Sequence, residues 1–278
     1  KELQRLELSQ YLTTKQVWEV LLPSSKGEPV SNLDFAKMYH DLNVFNTSPK
    51  GENPKSKKLP STELGINDLP GGKDGIGSNN WVLSGKLTES GKPLLANDPH
   101  LGLSAPAIWY FAHLDAPGLN VIGGTLPGIP AVVLGRSEKF AWSFTNTNPD
   151  VQDTYLEQLD PSNPSMYRGP HGMLPFIVHQ EIIDIKGSTP ITFIVKETRH
   201  GPVISDSYAR VKRAINTNRY ALALRWTALD PENQSVVGLL EMNRAKDLDS
   251  FKAAIHKNYA PMQNVVMADT DGNIAYHA

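Results

Sequence analysis

Ser78 stands where a loop rich in glycine and charge meets a strand-like run, in the stretch GKDGIGSNNWVLSG at residues 72–85. A serine hydroxyl is a poor nucleophile until a base takes its proton. One interpretation is that the loop simply ends at Ser78. The other is that the Gly77–Ser78 bond is cut, which leaves Ser78 as a new amino terminus. The free α-amine, with a pKa of about 7.7 to 8.0, could then serve as the base.

Two aspartates, Asp150 and Asp153, lie three residues apart in the run NPDVQDTY, with the main-chain carbonyl of Gln152 between them. Carboxylate and carbonyl oxygens are the ligands that calcium prefers. The simpler interpretation is a turn capped by Asp150 and followed by an exposed Asp153. The residue types alone leave both interpretations open.

Two other stretches imitate ligand-binding loops. The run DTDGN at residues 269–273 resembles the opening of a calcium loop but lacks the closing glutamate. An Asp-Gly hairpin turn between VVMAD and IAYHA is predicted there instead. The run GGKDGIGS has neither the preceding strand nor the Gly-Lys-Ser ending of a phosphate loop.

Composition excludes several classes of function. The 278 residues carry a formal net charge of -2, whereas nucleic acids and anionic membranes call for a basic surface. The chain contains no cysteine, which excludes disulfides, thiolate metal sites and a cysteine nucleophile. No apolar run approaches the roughly 20 residues of a membrane span. A small substrate that is neutral or weakly charged fits best.

The chain changes character twice along its length. Residues 1–45 have helical spacing of apolar side chains and predict two short helices, one on each side of a break between Pro23 and Pro29. Residues 46–77 are rich in proline, glycine, lysine and serine without periodicity, which is typical of a linker, a lid or a segment to be removed. From Ser78 onward, short runs that alternate or stay apolar between turn residues predict strands.

Two helices are expected among the later strands. They are the runs SVVGLLEMNRA and LDSFKAAIHKNYA, which group their apolar residues with helical spacing. Asp247 or Asp249 is well placed to cap the second helix at its N-terminus.

Three long runs in order carry a resemblance to a known family. They are SNNWVLSG, LLANDPHLGLSAP and VIGGTLPGIPAVVLGRSEKFAWSFTNTNPDVQDTYLEQ. Their order and spacing resemble the start of the β subunit in the penicillin acylase family of N-terminal-nucleophile hydrolases. The shorter runs RHGPVI, ALRWTALDP and MQNVVMADTDGNIAY continue the resemblance more loosely. Gly-Ser alone is common in proteins, but this succession of motifs is specific.

The resemblance implies that the precursor cuts its own Gly77–Ser78 bond. The Ser78 hydroxyl would attack the Gly77 carbonyl and form an ester that water then opens. Gly77, which lacks a Cβ, tolerates the contorted backbone that this step needs. The same hydroxyl would later attack the substrate, so activation and catalysis share one nucleophile.

The resemblance also places His100 beside the nucleophile, where its ring could hydrogen-bond the Ser78 amine or backbone. The alternative is an ordinary turn histidine after Asp98 and Pro99. The best-known penicillin G acylases have glutamine at this place, whereas histidine is the pattern of cephalosporin and acyl-homoserine-lactone acylases. This departure counts against benzylpenicillin as the preferred substrate.

Acyl transfer needs hydrogen-bond donors for the oxyanion that forms on the attacked carbonyl. By resemblance these are the main-chain N–H of Asn146 and the side chain of Asn264. The alternative for Asn264 is a strand-end asparagine satisfied by its own backbone. A supporting arginine of the family would lie beyond Ala278.

The acyl pocket implied by the resemblance is lined by Leu101, Leu134 and Phe144. All three are equally good core residues, and periodicity does not separate the two interpretations. The family's calcium site matches the positions of Asp150, Gln152 and Asp153, so a structural calcium ion is expected there, with no organic cofactor.

The expected fold is α+β, a four-layer αββα sandwich with antiparallel sheets and Ser78 at the start of a central strand. Residues 1–45 would belong to the α-subunit region, residues 46–77 to a spacer, and residues 78–278 to the β subunit. The expected function is amide hydrolysis through an acyl-enzyme on Ser78. Within the family, acyl-homoserine-lactone and cephalosporin acylases are alternatives; a non-catalytic, extracellular β-rich binding module is the alternative from another class.

The resemblance further implies a zymogen of the periplasm or the extracellular space, α and β subunits from one precursor, and a role in antibiotic biosynthesis. Its substrate would be a small acyl amide. With Gly77 still joined to Ser78, the amine that should act as base is tied up in an amide. The uncut chain is therefore expected to be inactive.

Overall fold

A computed structural model of the chain describes residues 2–21, 32–46, 77–101, 105–147 and 149–278. Nearly all of the predicted spacer lies outside these ranges. The described helices are α1 (Glu2–Leu8), α2 (Thr14–Leu21), α3 (Phe35–Asp41), α4 (Ala209–Ala214), α5 (Ser235–Arg244) and α6 (Leu248–Ile255). The described strands are β1 (Ser78–Leu83), β2 (Leu94–Pro99), β3 (Tyr110–Ala116), β4 (Leu119–Thr125), β5 (Leu134–Ser137), β6 (Phe140–Asn146), β7 (Gln152–Gln158), β8 (Met166–Gly169), β9 (Gly172–Pro175), β10 (Ile177–Ile183), β11 (Ile191–Thr198), β12 (Gly201–Pro202), β13 (Tyr220–Trp226), β14 (Gln263–Asp269) and β15 (Ile274–His277).

Every strand pairing within these ranges is antiparallel. The predicted α+β class with antiparallel sheets is confirmed. The chain divides into two compact units, the first of residues 1–72 and 152–226, the second of residues 73–151 and 227–278.

The first unit contains α1 to α4 and three small sheets. β7 pairs with β13, β8 pairs with β9, and β11 lies between β10 and β12. The sequence predicted two helices in its N-terminal part, but the described residues of that part form three, because the chain turns between α1 and α2. Thr13, the residue before α2, forms a reciprocal cap with Gln16: the Gln16 N–H donates to the Thr13 hydroxyl, and the Thr13 N–H donates to the Gln16 side chain.

One buried cluster in the first unit joins residues near the start of the chain to residues far downstream. Its members are Leu6, Val44, Phe45, Val211, Ala214, Ile215, Tyr220 and Leu222. Two hydrogen bonds follow the same path, from the Asn216 N–H to the Val44 carbonyl (2.7 Å) and from the Tyr220 hydroxyl to the Leu42 carbonyl (2.7 Å). The segment of residues 42–46 is therefore fixed by contacts with residues that lie more than 160 positions later in the sequence.

An ion pair lies beside this cluster. The guanidinium of Arg210 donates to both carboxylate oxygens of Glu7, with Nε–Oε1 at 2.5 Å and Nη2–Oε2 at 2.6 Å. Glu7 is only 6% exposed. A carboxylate buried to this extent is costly unless it is paired, and the two parallel hydrogen bonds supply that pairing.

The second unit is built on a six-stranded sheet with the order β15-β14-β6-β5-β4-β3. Helices α5 and α6 cover one face of this sheet, where Phe251 and Met242 meet Trp142, Phe144 and Val265 in a buried cluster. Both helices were predicted. Asp247 caps α6 with a capping box that includes Ser250, as the sequence indicated.

The hairpin of β1 and β2 lies against β6 and β14. Since side chains alternate along a strand, the neighbours of Phe144 and Val265 point away from the helices. Those neighbours include Ser143 and Val266, which pair with each other and are buried. Within this unit the six-stranded sheet therefore lies between the two helices on one face and the hairpin on the other. This order corresponds to the first three layers of the predicted αββα sandwich.

The turn between β14 and β15 is the predicted Asp-Gly hairpin. Asp269 accepts hydrogen bonds from the N–H groups of Asp271 (3.0 Å) and Asn273 (2.8 Å) and from the Asn273 side chain (2.8 Å). Gly272 has φ +95°, which favours glycine. Burial raises the pKa of the Asp269 carboxyl, but these hydrogen bonds outweigh burial and leave the pKa below its ordinary value.

This balance predicts a pH-dependent contribution of Asp269 to stability. Because the folded-state pKa is lowered, the contribution is fully present above the unfolded-state pKa of about 3.9 and is lost as pH falls through the folded value. Asp269→Asn should therefore lower the melting temperature near neutral pH and have no effect in strong acid. The control is Asp271→Asn, an exposed residue of the same turn. A difference between wild type and Asp269→Asn that does not vary with pH would contradict the prediction.

Candidate active site

Ser78 is the first residue of β1, so the predicted strand start is correct. Among the described residues β1 pairs only with β2, so it is not the central strand that was predicted. Ser78 pairs with Pro99 in the β1–β2 ladder. The ladder continues one residue upstream, where the His100 N–H donates to the Gly77 carbonyl oxygen at 2.9 Å. The peptide bond that was predicted to be cut is therefore held on both sides by strand pairing.

The two faces of β1 differ in exposure. Ser78, Asn80 and Val82 are half-buried, whereas the residues between them are exposed. Because side chains alternate along a strand, Ser78 and Asn80 lie on the same face of the hairpin. That face contacts the six-stranded sheet, as the hydrogen bonds of Asn80 show.

Two asparagine side chains attach the hairpin to the sheet. Asn80 Nδ2 donates to the main-chain carbonyls of Ser143 (3.5 Å) and Asn264 (3.4 Å). Asn97 Nδ2 donates to the carbonyls of Asn79 (2.9 Å) and Phe144 (3.1 Å). Neither residue was predicted from the sequence. They could have been found by alternation along the strands. Asn80 is two residues from Ser78, and Asn97 pairs with Asn80 in the register of the hairpin, so both lie on the face of Ser78.

The two predicted oxyanion donors are brought together. β6 ends at Asn146, which pairs with Gln263, and the next pair in that ladder is Thr145 with Asn264. Asn146 and Asn264 thus occupy adjacent strands one position apart. Asn264 also alternates with the core residue Val265, so its side chain lies on the hairpin side of the sheet.

A tyrosine that the sequence analysis did not identify contacts Asn264. The Tyr276 hydroxyl donates to Asn264 Oδ1 at 2.7 Å. Tyr276 pairs with Val266, so it lies on the same face of the sheet as Asn264. Tyr276 could have been found from the sequence: Val266 is two residues from Asn264 on the same face of β14, and the predicted hairpin pairs Val266 with Tyr276.

His100 contacts the backbone beside Ser78 through its main-chain N–H. Its ring instead bonds Asp98, with Nε2 and Oδ2 at 2.7 Å. Asp98 pairs with the exposed Asn79, which puts the ring on the outer face of the hairpin. The sequence predicted that the His100 ring would hydrogen-bond the amine or backbone of Ser78. In the structure the ring bonds the Asp98 carboxylate instead, and only the main-chain N–H of His100 reaches the backbone next to Ser78.

The three predicted pocket residues occupy different environments. Phe144 is 7% exposed and packs in the core cluster beneath the sheet, and Leu134 is half-buried on β5 next to Gly124. Leu101, just after β2, is 44% exposed and adjoins residues 102–104, which lie outside the described ranges. A shared acyl pocket stays a prediction.

The predicted metal ligands also stay a prediction. Asp150 is an exposed residue of the second unit, and Gln152 and Asp153 begin β7 in the first unit. Among the residues that the structure describes, no three His, Cys, Asp or Glu side chains are grouped to hold a metal ion. The predicted set is of a different kind, because it consists of two carboxylates and one main-chain carbonyl. No helix in the described ranges is long and apolar enough to span a membrane.

Known proteins resemble the chain in sequence and in fold. Acyl-homoserine lactone acylase QuiP of Pseudomonas aeruginosa is 34% identical over 197 residues, which are 69% of this chain and 23% of that protein. Penicillin acylase 2 proenzyme of Pseudomonas sp. (strain SE83) is 34% identical over 132 residues, 47% of this chain and 17% of that protein. A thermostable penicillin G acylase from Alcaligenes faecalis has a TM-score of 0.59 at 27% identity, over 71% of this chain and 34% of that chain.

The matched residues therefore cover less than a quarter of the length of each of these two relatives. The sequence model described as Penicillin amidase matches residues 1–278. Because this match extends over the whole chain and the fold is shared with a penicillin G acylase, the chain belongs to the penicillin amidase family.

Proposed function

We propose that the protein is an acylase that hydrolyses a linear amide through an acyl-enzyme on Ser78. The observation that carries the proposal is the placement of Ser78 at the start of a strand that contacts the strands of Asn146 and Asn264. Family membership supports a hydrolase over the alternative of a non-catalytic binding module.

The proposed nucleophile depends on self-cleavage. The Ser78 hydroxyl attacks the Gly77 carbonyl, the C–N bond breaks, and the nitrogen becomes the α-amine of Ser78 while Gly77 is held as an ester. Water then hydrolyses this ester. The His100 N–H, which donates to the Gly77 oxygen at 2.9 Å, is positioned to stabilise negative charge on that oxygen during the attack.

In the acylation step, the neutral α-amine takes the proton of the Ser78 hydroxyl as that oxygen attacks the substrate carbonyl. The main-chain N–H of Asn146 and Nδ2 of Asn264 donate to the oxyanion that develops. The protonated amine then gives its proton to the leaving nitrogen. Water completes the cycle by hydrolysing the acyl ester, with the same amine as base.

Acyl-homoserine lactones are the substrate class that the similarities favour. QuiP, with 34% identity, carries that activity in its name, and His100 matches the pattern of these enzymes. Penicillins are the second candidate, because proteins named penicillin acylase 2 proenzyme and penicillin G acylase are also similar. Cephalosporins are a further candidate, because histidine at the position of His100 is also the pattern of cephalosporin acylases. A periplasmic or secreted location and two subunits from one precursor belong to the proposal as well.

The processing step predicts a specific new amino terminus. In the full-length protein, N-terminal sequencing of the wild-type fragments should include one that reads Ser-Asn-Asn-Trp. Ser78→Ala should give one uncut polypeptide because no hydroxyl can attack Gly77, whereas Ser78→Cys retains a nucleophile for the same acyl shift. Ser84→Ala, a serine just beyond β1, is the control and should leave processing intact. Cleavage of Ser78→Ala at the same bond would contradict self-cleavage.

The substrate class is tested with processed full-length protein and a panel of acyl-homoserine lactones, benzylpenicillin and a cephalosporin. Release of the free acid is measured as kcat/KM for each substrate. Acyl-homoserine lactones are expected to be preferred, and Ser78→Ala to release no acid from any of them. A preference for benzylpenicillin would replace the substrate class, and an active Ser78→Ala variant would remove Ser78 as the nucleophile.

Calcium is proposed to bind through the Asp150 and Asp153 carboxylates and the Gln152 carbonyl. This set contains only hard oxygen donors and fits calcium better than a transition metal. A ligand at 100 times its Kd that binds only the folded state adds about 2.7 kcal/mol of stability. A calcium chelator should therefore lower the melting temperature of wild type but not of Asp150→Ala. The control is Asp184→Ala, at an exposed position, whose melting temperature should fall with the chelator as that of wild type does. An unchanged melting temperature of wild type in the presence of the chelator would contradict the calcium proposal.

A further inference from the structure

We propose that Tyr276 is a positioning residue that orients the Asn264 side chain for oxyanion stabilisation. The inference rests on the proposed function of Asn264 as an oxyanion donor. It is carried by the hydrogen bond from the Tyr276 hydroxyl to Asn264 Oδ1 at 2.7 Å.

A primary amide can present either its oxygen or its nitrogen to a given neighbour, and the two orientations differ by a half-turn of the terminal group. Only the nitrogen can donate to an oxyanion; the oxygen would repel it. A phenol donates a hydrogen bond more strongly than it accepts one, because its oxygen lone pair is conjugated with the ring. The Tyr276 hydroxyl therefore favours the orientation in which Oδ1 faces β15 and Nδ2 faces away from it.

The nitrogen remains available in this orientation. Within the described part of the chain, Asn264 Nδ2 has no hydrogen-bond acceptor, whereas Oδ1 is occupied by Tyr276. The main-chain oxygen of Asn264 accepts from Asn80, two residues from Ser78 on the same face of the hairpin. Asn264 is thus fixed by two contacts, neither of which uses the amide nitrogen.

The hairpin supports the placement of the tyrosine. Tyr276 lies on the edge strand β15, which pairs with β14 from Val265 to Ala268, and the turn between them is closed by the hydrogen bonds of Asp269. Tyr276 is 63% exposed, so its ring contributes little to the core. The main contact of the Tyr276 side chain is therefore the hydrogen bond of its hydroxyl to Asn264, and not the packing of its ring.

The test is Tyr276→Phe in the full-length processed enzyme, which removes the hydroxyl and keeps the ring. One lost hydrogen bond is expected to reduce kcat about tenfold. KM should not change, because the oxyanion exists only in the transition state. Rates are referred to the concentration of processed enzyme, so that any defect in cleavage does not enter kcat. Tyr110→Phe, on a tyrosine that is 64% exposed on β3, is the matched control and should behave as wild type.

A double-mutant cycle separates orientation from a general structural effect. Asn264→Ala alone should reduce kcat by about 100-fold or more. Adding Tyr276→Phe to Asn264→Ala should cost nothing further, because no amide remains to be oriented. Additive losses, an unchanged kcat in Tyr276→Phe, or an increase in KM alone would overturn the inference.

These outcomes differ from failure of the proposed function. If Ser78→Ala is inactive and Tyr276→Phe has wild-type kcat, the acylase proposal stands and the role of Tyr276 falls. If Asn264→Ala keeps wild-type kcat, the oxyanion role falls, and the orienting role of Tyr276 with it.

Discussion

The attachment of the β1–β2 hairpin to β6 and β14 is the constraint on which the site depends. Asn80 and Asn97 make it with side-chain amides that donate to main-chain carbonyls. Main-chain acceptors lie at positions set by the sheet and do not change with the residue type at those positions. The candidate nucleophile at the start of β1 is therefore located by the geometry of the sheet to which Asn80 and Asn97 attach the hairpin.

The six-stranded sheet has a different chemistry on each face. On the helix side, Phe144 and Val265 are packed in the apolar core. One residue further along the same strands, Thr145 and Asn264 lie on the hairpin side. Because the side-chain period of a strand is two, a slip of one residue would exchange core and site. The burial of Phe144 and Val265 therefore helps to fix the orientation of Asn264.

Local features of the fold could be predicted from the sequence. The alternation of apolar residues indicated the strands, and an Asp-Gly pair indicated the hairpin between β14 and β15. The start of α6 was indicated by Asp247 or Asp249, and the structure selects Asp247. The family resemblance supplied Ser78, Asn146 and Asn264, and the structure brings the last two to adjacent strands. What the sequence did not reveal depends on the pairing of distant segments. The bonds of Asn80 to strands more than 60 residues away are of this kind, as is the direction of the His100 ring, which follows from the register of β1 and β2.

The buried cluster of the first unit has a consequence for any break at Gly77–Ser78. Leu6, Val44 and Phe45 precede that bond, whereas Ile215 and Tyr220 follow it, yet they share one core with the Glu7–Arg210 ion pair beside it. A cut would turn this core into an interface between two polypeptides. In the uncut chain the stability of this core does not depend on protein concentration. After the cut, the two polypeptides would be held together with a dissociation constant, and dilution would favour their separation.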